Sequence, residues 1–201
     1  GVKVYRSALA LPVIPAQGNL NDIFNGDRFL ELLPLIYFLR IVTDHYQWQR
    51  PPVRAQFMFD DPNLHWPTYG LVNYGELAAR AQSENYHVSF ATVPLDGWFT
   101  HDRTAAIFRA NSKHLSLCVH GNDHTKKELA QNYTSMGRIS LLRQAIQRIE
   151  KLEKCSGVPV SRVMVPPHGA CSHEMLTEIP GAGFESACIS HGSLRSHNRT
   201  K

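Results

Sequence analysis

The sequence predicts an α/β fold with a mainly parallel sheet, and three observations lead there. Short β-favouring apolar runs recur at roughly thirty-residue spacing from Arg54 onward. Between them lie stretches with helical periodicity and capping residues. Residues able to do chemistry stand at the C-terminal ends of the strands, where parallel sheets build ligand sites. At 201 residues and 43% hydrophobic, one domain of this kind buries on the order of two thirds to three quarters of its surface.

Residues 1–53 read as a lead-in. Pro12, Pro15, Gly18 and the Asn/Asp clusters favour irregular chain with room for one short strand, and Asp27 to Val42 reads as a helix interrupted near Pro34. Residues 54–201 carry the strand–helix rhythm. "RAQFMFD" reads as a strand, and "NYGELAARAQSE" as a helix with Asn73 at its N-cap and Glu76 three residues on. "YHVSFATVP" is the second strand and "TAAIFRAN" a helix; "HLSLCVH" is the third strand, followed by "TKKELAQ", where Thr125 and Glu128 have capping-box spacing. A longer helix carries Ile139, Leu142, Ile146 and Ile149 on one stripe, with Gly157 just past its end. "SRVMVP" is the fourth strand, "HEMLTEI" a short helix and "GFESACIS" the fifth strand.

Composition narrows the function. The formal net charge is +4, with Lys and Arg scattered among Asp and Glu, which argues against nucleic acid as partner. The longest apolar run, "LLPLIYFLRIV", contains Pro34 and Arg40 and is too short to span a bilayer. The N-terminus lacks a signal-peptide pattern, so the chain as it stands reads as cytoplasmic, with an extracellular location open if a targeting segment precedes it. Cys118, Cys155, Cys171 and Cys188 are far apart and form no CxxC pair. They read as free, buried thiols rather than a zinc ribbon or disulfide framework.

Three strand ends carry residues able to do chemistry. The first closes on Asp60 and Asp61, and Pro62 helps to end the strand so that both carboxylates can face one site. The third closes on His120, with His124 four residues on; Gly121 and Thr125 favour a tight loop over a continuous helix. The fourth closes on Pro166, Pro167 and His168. A carboxylate with two imidazoles suits a divalent ion such as zinc, and Asp61 with His120 and His124 forms that set. Asp60 is then available as general base, since two carboxylates beside a cation need not repel each other into neutrality. Taken singly, "DDP" is as readily a turn and a histidine pair arises by chance in a chain of 11 histidines. Their coincidence at successive strand ends favours the metal reading. The other histidines, His87 and His114 among them, read as surface or internally satisfied residues.

"FMFDD", "HGNDH" and "VPPHG", in that order, resemble the first three motifs of the polysaccharide deacetylase family, also called carbohydrate esterase family 4 or the NodB homology domain, over residues 54–190. The resemblance implies a distorted (β/α) barrel, seven-stranded in the family and here incomplete, with about five βα units. It implies a metal-dependent deacetylase of N-acetylated saccharides in which Asp60 is the catalytic base and Asp61, His120 and His124 hold the metal, Zn2+ foremost, with Co2+ or Ni2+ as alternatives. It also implies that the loop through Pro167, His168 and Gly169 lies beside the substrate, with a backbone N–H near His168 holding the oxyanion.

The departures from the family pattern are specific. Val165 stands where the third motif opens with an arginine that pairs with the catalytic aspartate; Arg162 and Arg54 are the candidates to supply that charge. His168 replaces an aromatic and can act as acid, as ligand or only as a loop residue. Pro62 replaces a glycine, and in the "NLHW" that follows, His65 and Trp66 are placed to line a sugar site, Trp66 being equally suited to the core. The family's later motifs, with its general-acid histidine, have no clear match before Lys201, and His191 is not assigned to that role. Three functions stay open: a deacetylase acting on an acetylated saccharide or a small amide, a hydrolase of a non-polysaccharide amide or ester on the same scaffold, and a non-catalytic carbohydrate-binding relative. No membrane partner is expected, and the oligomeric state is open.

Overall fold

In the computed structural model of the chain, strand and helix alternate as the hydrophobic periods require. The structure describes residues 29–44 and 56–198, together with residues 4, 6, 8, 13, 23 and 27. They fall in two compact units, Gly1–Val53 and Arg54–Lys201. The expected lead-in strand and Arg54 lie outside the described residues. In the first unit one helix, α1, spans Phe29–Thr43 and runs through Pro34 without interruption. The expected break is corrected because helix-favouring leucines on both sides carry the helix past one lost N–H bond. Among the described residues no helix is long and apolar enough to cross a membrane.

The second unit opens with β1 (Phe57–Asp60), a two-stranded antiparallel hairpin of β2 (Thr68–Tyr69) and β3 (Val72–Asn73), and α2 (Tyr74–Glu84). Then come β4 (Val88–Thr92), α3 (Asp102–Ala110), β5 (Leu115–His120), α4 (Ser135–Ser156), β6 (Val160–Val165), α5 (His173–Glu178), β7 (Ser186–Ala187) and α6 (His191–Asn198). β1, β4, β5, β6 and β7 form one parallel sheet in chain order. The order never reverses, so each new strand is added on the same side. Right-handed crossovers then place the connecting helices on a single face, the winding of a barrel wall rather than of a doubly wound sheet.

Burial follows that winding. Val88, Phe90, Leu115, Leu117, Val119 and Met164 pack with Tyr74, Ala78, Phe108, Leu142, Ile149 and Leu152 of the helices in one core. Its centre is an aromatic trio, Tyr74, Phe90 and Phe108, with ring centroids 5.2–5.5 Å apart. Each such ring contributes about 1.5–3 kcal/mol by leaving water. The opposite face carries a smaller cluster of Ala91, Cys118 and Val165.

Local signals set most boundaries. Asn73 caps α2, accepting from the N–H groups of Gly75 and Glu76, and Gly157 ends α4 at φ 68°. Three expectations need correction. "TKKELAQ" holds only a short 3₁₀ turn at Glu128–Ala130, because the Glu128 carboxylate bonds the preceding loop instead of capping a helix. The fifth strand keeps just two paired residues, Ser186–Ala187. All four cysteines are free, yet Cys155 and Cys188 are exposed while Cys118 and Cys171 are buried; Cys155 lies near the C-terminal end of α4, away from its buried stripe.

Candidate metal centre

At the end of β1 the ladder continues one residue past the strand: the Asp61 N–H donates to the Ala91 carbonyl at 3.1 Å. Asp61 itself sits at φ 54°, a left-handed conformation that aspartate tolerates better than most residues. The extended alternation therefore ends between the two aspartates. The Asp60 backbone oxygen accepts the Tyr69 hydroxyl at 2.9 Å, and the phenol's pKa is raised by burial and by the nearby Asp61 and Asp60 charges. Tyr69, brought in by the hairpin, is a neighbour of the site that sequence reading missed.

At the end of β5, His120 is almost wholly buried and lies opposite Val165 of β6. Its Nδ1 is 2.9 Å from the Val165 carbonyl oxygen. A carbonyl only accepts, so Nδ1 carries a proton and Nε2 is the nitrogen left to bind. Gly121 follows at φ 63°; a Cβ there would fall on the Glu128 carboxylate and 2.7 Å from Pro167 Cγ. The N–H groups of Asn122, Asp123 and His124 then all donate to Glu128, at 2.6, 3.0 and 3.2 Å. From the other side, α4 holds the same loop. Asn122 donates to Gln144 and accepts from Arg148, each at 2.8 Å, and Arg148 also pairs with Asp123.

These two strand ends bring three ligand atoms together. Asp61 Oδ1 lies 3.4 Å from Nε2 of His120 and 3.4 Å from Nε2 of His124, and the three atoms lie within 4.8 Å of one another. The separation is long for a charge-assisted hydrogen bond of about 2.7–2.9 Å. It matches the edge, about 3.4 Å, of a tetrahedron whose corners sit about 2.0–2.1 Å from a zinc ion. One carboxylate and two imidazoles, with His120 held in the binding tautomer, are residues that fit a divalent metal. His120 is buried and Asp61 is 48% exposed, so the site is closed below and open above.

The end of β6 supplies the side of the site. His168, exposed and at φ 56°, sets its ring 5.3 Å from that of His124, edge to face; it is not among the three converging ligands. Pro167 is buried against Gly121. Gly169, at φ 64°, leaves room for Ser190, which a Cβ would meet at 2.7 Å. Both residues thus have packing reasons for their identity. Arg162 does not serve the site: it makes two bonds to the Glu153 carboxylate, at 2.8 and 3.0 Å. The expectation that it could replace the motif arginine is corrected, because its strand position directs it to α4.

His65 and Trp66 lie on the same rim. His65 Nε2 is 3.2 Å from the Asp96 carbonyl oxygen, and its ring packs against Trp98 and Phe99. Trp66 is 61% exposed and stacks on His101, so it is a surface residue and not core. Trp98 and Phe99, also exposed, extend the aromatic surface; "DGWFT" shows no periodicity that could have flagged them.

No protein-family model matches this sequence, and no curated protein matches it. Solved structures do. One is a family 4 carbohydrate esterase from Streptomyces lividans in complex with acetate, 11% identical, with 69% of this chain and 64% of that chain covered at a TM-score of 0.46. Another is a Streptococcus pyogenes deacetylase in complex with acetate, 11% identical, covering 81% and 76% at 0.46. A third is a pseudoenzyme of the same esterase family from Bacillus anthracis, 13% identical, covering 68% and 44% at 0.40. The chain spans 64% of the length of the first and 44% of the third. At these identities and scores the likenesses carry no functional weight, and the reading below rests on the chain's own side chains.

Proposed function

We propose that the chain binds a divalent metal, zinc foremost, through Asp61, His120 and His124, and hydrolyses an acetyl amide on an N-acetylated saccharide or related small molecule. The observation that carries the reading is the convergence of three ligand atoms, with Asp61 Oδ1 at tetrahedral-edge spacing from both imidazoles and His120 Nδ1 committed to the Val165 carbonyl. When bound, the ion would supply Lewis acidity to a carbonyl oxygen and to water.

The remaining work falls to the chain. Asp60, adjoining the ligand Asp61 and close to the Tyr69 phenol, takes a proton from the attacking water on a carboxylate oxygen. His168, beside His124, delivers a proton to the departing amine. His65 and Trp66 offer aromatic faces to a sugar ring on the same rim. The engagement of Arg162 with Glu153 favours a second reading, in which Asp60 lacks its orienting cation and the chain binds the saccharide without turnover.

Elemental mass spectrometry of purified protein, with and without a chelator, tests the metal. Near-stoichiometric metal that disappears in Asp61→Ala and in His120→Ala supports the site; wild type that takes up no zinc, cobalt or nickel sinks it. Asp60→Asn separates the two readings. In an enzyme it lowers amide hydrolysis by about 10²–10⁴-fold and keeps the metal, whereas a binding protein shows no hydrolysis to lose.

A further inference from the structure

Glu128 has no part in the motifs, yet it is one of the most buried residues of the chain, at 1% exposure. Burying a carboxylate is costly unless its charge is answered, and here three consecutive backbone N–H groups answer it. Successive N–H groups that turn toward one point make an anion-binding hollow. Gly121 opens that hollow with a positive φ and with the space a Cβ would take from the carboxylate.

The third donor is the N–H of His124, whose own φ is 53°. A histidine in the left-handed region is strained and stays there only when its surroundings fix it. The bond from its N–H to Glu128 Oε1 is such a constraint, and the conformation it fixes is the one that sets His124 Nε2 3.4 Å from Asp61 Oδ1.

We propose that Glu128 is a positioning residue for the metal: it holds the 122–124 loop in an anion hollow so that His124 is preset to bind the ion beside Asp61 and His120. The proposal rests on the metal-binding reading above. Glu128→Gln is nearly isosteric but presents an amide N–H₂ to the donor N–H groups in place of one acceptor oxygen. One amide oxygen serves only one of the two acceptor positions, so the loop loses either the Asp123 bond or those of Asn122 and His124, without losing volume.

Zinc affinity measured by competition with a chromophoric chelator is the test, with the visible spectrum of the cobalt-loaded protein as second readout. Glu128→Gln is expected to weaken zinc binding about 10–100-fold, the range for partners that orient a ligand without touching the ion, and to change the cobalt bands. In a His124→Ala background the same substitution is expected to have no further effect on affinity. Wild type that binds zinc with Glu128→Gln within twofold of it overturns this proposal and leaves the metal site standing. An equal loss in the His124→Ala background also overturns it, since Glu128 would then act on the fold as a whole. Wild type that binds no metal removes the metal reading and this proposal together. Should Glu128→Gln fail to fold, Glu128→Asp keeps the charge and withdraws the carboxylate by one methylene. It is expected to weaken zinc less, and unchanged affinity there would be decisive against the role.

Discussion

The two ends of β5 carry histidine clusters on the same face of the sheet, and they differ in what their hydrogen bonds leave over. At the beginning of the strand, His87 Nδ1 is 3.0 Å from the Lys113 carbonyl and its Nε2 is 2.8 Å from Ser116 Oγ. Nδ1 therefore carries the proton, Ser116 donates to Nε2, Ser89 donates to Ser116 across 2.8 Å, and Gln56 donates to Ser89. Every member has its partner, and the chain of donors has one direction. At the end of the strand His120 Nε2 and Asp61 Oδ1 are two acceptors turned toward each other, with His124 Nε2 at the same distance from Asp61. The first cluster is complete without a ligand; the second leaves lone pairs that a cation would satisfy. A histidine's neighbours matter less than whether its lone pair is already taken.

The strongest way to break this contrast is at the turn that builds the open cluster. Gly121→Ala places a Cβ against Glu128 and Pro167 at a positive φ. The left-handed conformation costs about 1–2 kcal/mol and the overpacking about 1–3 kcal/mol more. The expected outcome is a clear drop in the denaturation midpoint together with loss of zinc binding. A variant as stable and as metal-bound as wild type would mean that the loop is not as tightly fixed as its bonds indicate.

Ser116→Ala sharpens the contrast from the closed end. It leaves His87 Nε2 and the Ser89 hydroxyl without their partner in a cavity of about 620 Å³ that admits water. The expected stability loss is about 1 kcal/mol, with zinc affinity unchanged. If metal binding falls as well, the two ends of β5 are coupled and the division drawn between them fails.

The same contrast explains what was legible in the sequence. Asp60, Asp61, His120, His124 and His168 could be placed at strand ends because the β-favouring runs before them are short and clear, and a parallel sheet gathers such ends on one rim. Glu128 was hidden by its own spacing: Thr125 and Glu128 fit a capping box as well as they fit a loop anchor, and only the closure of the 121–124 turn decides between them. Arg162 alternates with Val160 and Met164 and faces away from Val165, so the period of "SRVMV" already sets it on the helix side; its partner Glu153 on α4 is supplied by the fold. Trp98 and Phe99 stand at the end of a short 3₁₀ turn, Pro94–Trp98, too brief for a period to report the direction of a side chain. The tautomer of His120 depends on a carbonyl 45 residues away, a relation that strand register alone creates.

The smallest expected effect tests the face between the two clusters. Cys118 follows Ser116 and precedes His120 at two-residue steps along β5, so all three share a side of the strand. Burial pushes the Cys118 thiol up to about 12, with lesser contributions from Cys188 and Asp60, and burial does the same to Cys171. A thiol so shifted holds almost no thiolate at pH 8 and is shielded as well. Brief treatment of native protein with iodoacetamide at pH 8, followed by peptide mass mapping, is expected to label the exposed Cys155 and Cys188 and to spare Cys118 and Cys171. Rapid labelling of Cys118 would show that the inner face opens to solvent between the clusters, and a closed network at one end of β5 could then not be treated as separate from the open site at the other.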